Sequence, residues 1–189
     1  MTLLRSATDR RWVDVALADL DRTLADHAHC EKKAAATAMK LISDHPAHAG
    51  RVRALARLAQ EEQRHFFAVL NELARRGSPL PPDGGDVYAQ ELLRLVRSGP
   101  HRLLDRLAVS ALIEARSCER LGLLGEALPA GRLRSLYLQL ARAEAGHEQL
   151  FVDLAAAEAG AAKARTRIGE LAEEEARIVA ALPLLPRIH

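Results

Sequence analysis

Two segments of the chain, LAQEEQRH at residues 58–65 and LARAEAGH at residues 140–147, share the pattern Leu-Ala-x-x-Glu-x-x-His. Each places a carboxylate, Glu62 or Glu144, three residues before an imidazole, His65 or His147, and on an α-helix that spacing puts both side chains on one face. Two further glutamates, Glu31 and Glu114, each interrupt an otherwise apolar helical stripe. A carboxylate in an apolar interface is driven to its neutral form, at a cost of several kcal/mol, unless a cation compensates it. Two divalent cations balance four glutamates and leave two neutral imidazoles as further ligands. A mixed oxygen and nitrogen donor set suits iron or manganese and leaves positions open for a small reactant. The chemistry indicated is that of a two-metal site with Glu31, Glu62, His65, Glu114, Glu144 and His147 as ligands.

Helices must carry these residues. Only 3% of the chain is aromatic, and Ala, Leu, Arg and Glu, which lose little side-chain freedom in a helix, dominate. The punctuation predicts helices over about 9–18, 20–43, 50–76, 87–97, 101–127, 132–159 and 162–181. The breaks fall at Pro46 and Gly50, at GSPLPPDGGD (residues 77–86), at SGP (98–100), at Pro129 and Gly131, and before Pro183. Four long helices in two pairs around a long middle connection make an all-α protein. The expected fold is a ferritin-like four-helix bundle with one long crossover connection plus extra N- and C-terminal helices. At 189 residues the chain reads as a single domain with its core bundle over about 20–159.

Each long helix shows one buried face. The stripes run Leu20, Leu24, Ala28, Glu31, Ala35, Ala38, Ile42; then Val52, Leu55, Ala59, Glu62, His65, Phe66, Val69, Leu73. The second pair gives Leu103, Leu107, Ala111, Glu114, Cys118, Leu121, Leu124, and Leu133, Leu136, Leu140, Glu144, His147, Phe151, Leu154. Glu31 lies 15 residues before Pro46 and Glu62 16 after it, while Glu114 and Glu144 each lie 15 from Pro129. At about 1.5 Å per residue every glutamate sits roughly 22 Å from its turn. The intervals of 31 and 30 residues within the pairs mark two related helical hairpins. Glu61 and Glu148 adjoin the motifs without filling the frame and read as solvated or outer hydrogen-bond partners. His27 reads as a core histidine in preference to a partner of Glu31; His29, His45, His48 and His101 read as surface or loop residues. Cys30 and Cys118, with no CxxC pairing, read as packing thiols.

The stretches DHAHCEKKAAATAMKLI (26–42), EEQRHF (61–66), LIEARSCERL (112–121) and ARAEAGHEQLF (141–151) resemble the tRNA 2-methylthio-N6-isopentenyladenosine hydroxylase family. The resemblance covers most of residues 10–160; the N-terminal tail and the last helix with its EEEAR run stand outside it. It implies a ferritin-like di-iron monooxygenase that uses dioxygen to hydroxylate the isopentenyl side chain of a hypermodified adenosine beside the tRNA anticodon. The cofactor is then two iron ions, with manganese as a substitute, and the implied ligands are the same six residues. With no flavin, haem or rubredoxin-like segment in the chain, the electrons must come from a separate donor of ferredoxin or reductase type. The alternatives are a ferritin-like iron-oxidising or peroxide-reducing protein with the same ligands and no organic substrate, and a metal-free helical interaction protein.

Charge gives an RNA partner modest support. The formal net charge is +2, but setting aside the four glutamates leaves 21 of the 25 acids against 27 Lys and Arg, a balance of +6. Basic residues cluster at Lys32, Lys33, Lys40, Arg51, Arg53 and Arg57, and again at Arg94, Arg97, Arg102 and Arg106, where they could follow phosphates. No aromatic-rich platform for a single strand is apparent. No apolar run approaches the roughly 20 residues that span a bilayer, and MTLLRSATDRRW has no signal-peptide core, so a cytoplasmic location is expected.

Overall fold

The computed structural model describes residues 3–189; Met1 and Thr2, the start of the N-terminal stretch read above, lie outside the described residues. The helices are α1 (Arg11–Ala18), α2 (Leu20–Asp44), α3 (Ala49–Arg75), α4 (Val87–Arg94), α5 (Arg102–Ala127), α6 (Arg132–Ala159) and α7 (Ala161–Ala181), with a 3-10 turn at Gly99–His101 and no strand among the described residues. The long helices match their predicted bounds to within about a residue. The helix predicted over 87–97 is shorter, because the Arg97 amide and guanidinium turn to the carboxylate of Asp105 at 2.7–2.9 Å.

The chain divides into two compact units, and Asp14–Gly84 with Leu185–Ile188 forms one of them, built on α2 and α3. Asp19 caps α2 by accepting the Arg22 amide at 3.2 Å. Ala28, Ala35, Ala38 and Leu41 of α2 are buried, as are Leu55, Leu58, Ala59, Val69 and Leu73 of α3. α3 ends in a Schellman turn: Ser78 donates to the Leu73 carbonyl and Gly77 to that of Ala74, each at 3.0 Å, with Gly77 at φ 71°. Arg76 and Ser78 then bind Asp21, which holds its carboxyl below the ordinary range.

The proline-rich connection lies on α2 and overturns one expectation. His29 is buried rather than superficial, because its Nε2 meets the Pro81 carbonyl at 2.9 Å while its Nδ1 accepts from Lys32 at 3.0 Å. Lys32 and Lys33 also approach Asp83, at 3.3 and 3.9 Å. Helical periodicity could not foresee this, since the covering segment is not helical.

The other unit holds the residues through Val13, Gly85–Leu184 and His189. α5 and α6 pair as a hairpin, and α7 follows α6 after Gly160, whose φ of 86° ends the helix as a residue with a Cβ rarely could. The fully buried Arg116 of α5 donates to the fully buried Glu175 of α7 at 2.9 and 3.0 Å, to Thr8 at 3.0 Å and to the Ser6 carbonyl at 3.0 Å. Tyr88 of α4 donates to the same Glu175 at 3.0 Å, and burial together with that carboxylate pushes its phenol well above the usual range. The EEEAR run is therefore not simply an acidic surface: its third glutamate anchors α7 to the core.

Gly125 of α5 packs on Leu138 of α6, where an added Cβ would lie 2.7 Å from Cδ2 and 3.2 Å from the Leu138 amide nitrogen. Gly125→Ala is expected to destabilise the protein by about 1–3 kcal/mol through overpacking. Gly122→Ala, with nothing within 4 Å of its Cβ, is expected to stabilise α5 by roughly 0.5–1 kcal/mol. Denaturant melts of the two variants check the opposite signs.

Candidate metal centre

In the α2–α3 hairpin, Glu31 and Glu62 are 3% and 1% exposed. His65, three residues after Glu62, brings its Nδ1 to 3.5 Å from a Glu31 oxygen and 3.8 Å from a Glu62 oxygen. One donor atom of each of the three residues lies within 4.8 Å of the others. These residues meet because both helices run about equally far from the same turn, as antiparallel neighbours must.

The α5–α6 hairpin repeats the arrangement. Glu114, Glu144 and His147 are buried, donor atoms of the three again fall within 4.8 Å of one another, and His147 Nδ1 lies 3.4 Å from a Glu144 oxygen. In both hairpins Nδ1 is the ring atom turned toward the carboxylates. Separations of 3.4–3.8 Å exceed a good hydrogen bond. They are close to the roughly 3–4 Å expected between donors that each stand about 2.1 Å from a shared ion. Each hairpin thus brings together two carboxylates and one imidazole, a donor set that fits a divalent cation of the iron or manganese kind.

His27 departs from its expected role. It is buried, as a core histidine should be, but its Nε2 meets Glu31 Oε1 at 2.7 Å, so it holds the carboxylate from behind while the other oxygen faces His65. The signal was the i, i+4 spacing on one helix, which the core reading set aside. Glu61 keeps to the edge of α3 near Arg64 at 3.7 Å. Glu148 is half-buried, and burial raises its carboxyl above the ordinary range. Neither belongs to the two triads. Both cysteines are free and half-buried; burial, then Glu148 and Glu144, pushes the Cys118 thiol up, consistent with packing rather than reactivity.

Helical hairpins that each set a histidine beside two buried carboxylates define a carboxylate protein of the ferritin-like class. A solved structure described as Protein 43 with aldehyde deformylating oxygenase activity, from Synechococcus, matches with a TM-score of 0.94 and 37% identity, over 100% of this chain and 96% of that one. The fold is all-α and ferritin-like. The model of the tRNA-(MS[2]IO[6]A)-hydroxylase (MiaE) family matches residues 1–189, and the chain belongs to that family. Two relatives carry the name tRNA 2-(methylsulfanyl)-N(6)-isopentenyladenosine(37) hydroxylase. The one from Pseudomonas putida is 44% identical over 149 residues, 78% of this chain and 72% of its own length. The one from Salmonella typhimurium is 39% identical over 99 residues, 52% of this chain and 36% of its own. The N-terminal tail and last helix, left outside the resemblance above, fall within the family match.

Glu31→Ala and Glu114→Ala are each expected to lower the metal retained after anaerobic loading to half or less, whereas Glu61→Ala retains the wild-type amount. Elemental analysis of the three purified variants checks this, and an equal loss at Glu61 would put the phase of α3 in error.

Proposed function

We propose that the chain is a dioxygen-dependent hydroxylase of the isopentenyl side chain of the modified adenosine at position 37 of tRNA. In this reading Glu31, Glu62, His65, Glu114, Glu144 and His147 together hold two iron ions, for which manganese can substitute. The observation that carries it is the repetition of two buried glutamates with one histidine in both hairpins of a chain whose family match runs from end to end. Four carboxylates match the charge of two divalent ions, so the imidazoles serve as neutral ligands. Reduced iron bound there would supply the activation of dioxygen needed to oxidise an allylic C–H bond of the isopentenyl group.

The chain's own residues set the conditions for that chemistry. His27 fixes one oxygen of Glu31 and leaves the other for the site. Ala28, Ala35, Ala59 and Val69 in one hairpin, and Leu107, Ala111, Leu140 and Phe151 in the other, are buried apolar neighbours along the same helix faces. They exclude water and suit a prenyl chain better than a polar substrate. Hydroxylation inserts one oxygen atom into the C–H bond and releases the other as water, which consumes two electrons and two protons. A separate ferredoxin or reductase delivers those electrons, and the reaction belongs in the cytoplasm with the tRNA. No helix of the described residues is long and apolar enough to cross a membrane.

The test is to incubate iron-loaded, reduced protein with dioxygen, an electron donor and tRNA carrying the prenylated adenosine, then digest the RNA and weigh the nucleosides. The expected result is a gain of one oxygen atom on the prenylated nucleoside. Fast ferrous oxidation with unchanged nucleoside under several donors would favour iron handling, and consumption of a long-chain aldehyde instead would favour the activity named for the Synechococcus protein.

A further inference from the structure

The outward face of α3 carries a stripe that the metal triads do not use. Arg53, Arg57, Gln60, Arg64, Phe67 and Asn71 are all exposed, and steps of three and four residues keep them on one side of the helix. The stripe holds three arginines, two amides, one phenylalanine and no acid. The acids of α3 lie elsewhere: Glu62 points the opposite way, Glu72 is buried, and Glu61 stands at the margin. Arg53 and Arg57 have no ion-pair partner among the described residues. Phe67 is 65% exposed, whereas Trp12, Tyr88, Tyr137 and Phe151 are buried and Phe66 half-buried. Phe67 is therefore the aromatic ring that the described chain leaves in water.

The internal repeat provides a control. Aligning Glu62 with Glu144 and His65 with His147 places Ser135, Gln139, Arg142, Gly146, Gln149 and Asp153 of α6 at the equivalent positions, and all six are exposed. That face has one arginine, one acid and no aromatic ring. The helix architecture thus does not require what α3 displays.

We propose that this stripe is where the substrate RNA lies, with Arg53, Arg57 and Arg64 on phosphates and Phe67 stacked on an unpaired base of the loop that carries the target adenosine. The proposal rests on the tRNA reading above and assigns it a surface. Guanidinium forks match phosphate oxygens, flat rings stack on bases of any sequence, and amides suit base edges. A membrane-binding face would show several large apolar side chains in a band; here Phe67, whose ring lies 6.1 Å from that of half-buried Phe66, is the one large apolar side chain exposed on the stripe. From Arg53 to Asn71 the stripe runs for about 27 Å, enough for several nucleotides. Phe67 is two residues from His65, the more exposed of the two triad histidines, with 16% of its side chain accessible against 5% for His147.

The test measures equilibrium binding of a prenylated anticodon stem–loop RNA to the full-length protein across a salt series, alongside kcat/KM for hydroxylation. Arg53→Glu with Arg57→Glu is expected to weaken binding at least about tenfold and to flatten the log K against log salt slope by about 1–2. Phe67→Ala is expected to weaken it roughly five- to a hundredfold with the slope unchanged, and Phe67→Trp to restore it. Gln139→Glu with Arg142→Glu on α6 is expected to bind as wild type. The inference is overturned if the α3 variants keep wild-type affinity and kcat/KM while the wild type hydroxylates RNA, or if the α6 variant loses as much. It is also overturned if the α3 variants lose affinity only for phosphatidylserine vesicles. Loss of RNA binding in the α3 variants of a protein that hydroxylates nothing would uphold the stripe and reject the proposed reaction.

Discussion

A carboxylate does not remain charged inside an apolar helix interface unless positive charge is held beside it, and this chain buries several. It answers that requirement in two ways. At Glu175 the compensating charge is the chain's own Arg116, and at Asp105 it is Arg97 with Arg167. Burial alone would raise the Asp105 carboxyl, yet those guanidiniums hold it below the ordinary range. These pairs fasten α7 and the α4–α5 connection. At Glu31, Glu62 and Glu144 the charged-group neighbours are instead histidines: His27 and His65 beside Glu31, His65 beside Glu62 and His147 beside Glu144. The contrast separates acids that arginines hold within the fold from the acids to which the proposal assigns metal.

That division explains much of the architecture. Alanines at 28, 35, 38, 59 and 111 leave room beside the glutamates, and the turns near Pro46 and Pro129 set the heights at which facing carboxylates meet. The two hairpins repeat each other but are not equal. His27 bonds Glu31 from one turn back, whereas the corresponding residue before Glu114 is Ser110. His65 is more exposed than His147, and the face of α3 is basic and aromatic where that of α6 is mixed.

The parts legible in the sequence were those fixed by period and spacing. Helix bounds followed prolines and glycines, and the triads followed one carboxylate and one histidine at helical intervals on apolar stripes. What could not be read depended on non-helical chain or on distant partners. His29 is buried by the proline-rich connection, which has no period to extrapolate. Glu175 looks like part of an exposed acidic run until Arg116, 59 residues earlier, is placed beside it. Phe66 stands on the predicted α3 stripe and Phe67 beside it does not, and how far each ring packs is visible only in its exposure.

The proposal that six side chains hold two ions is tested most directly by iron-edge anomalous diffraction from crystals loaded anaerobically with ferrous iron. The account predicts two strong peaks, with Glu31, Glu62, His65, Glu114, Glu144 and His147 supplying their protein ligands. A single peak, or peaks bound by other residues while those six side chains make no metal contact, would contradict it.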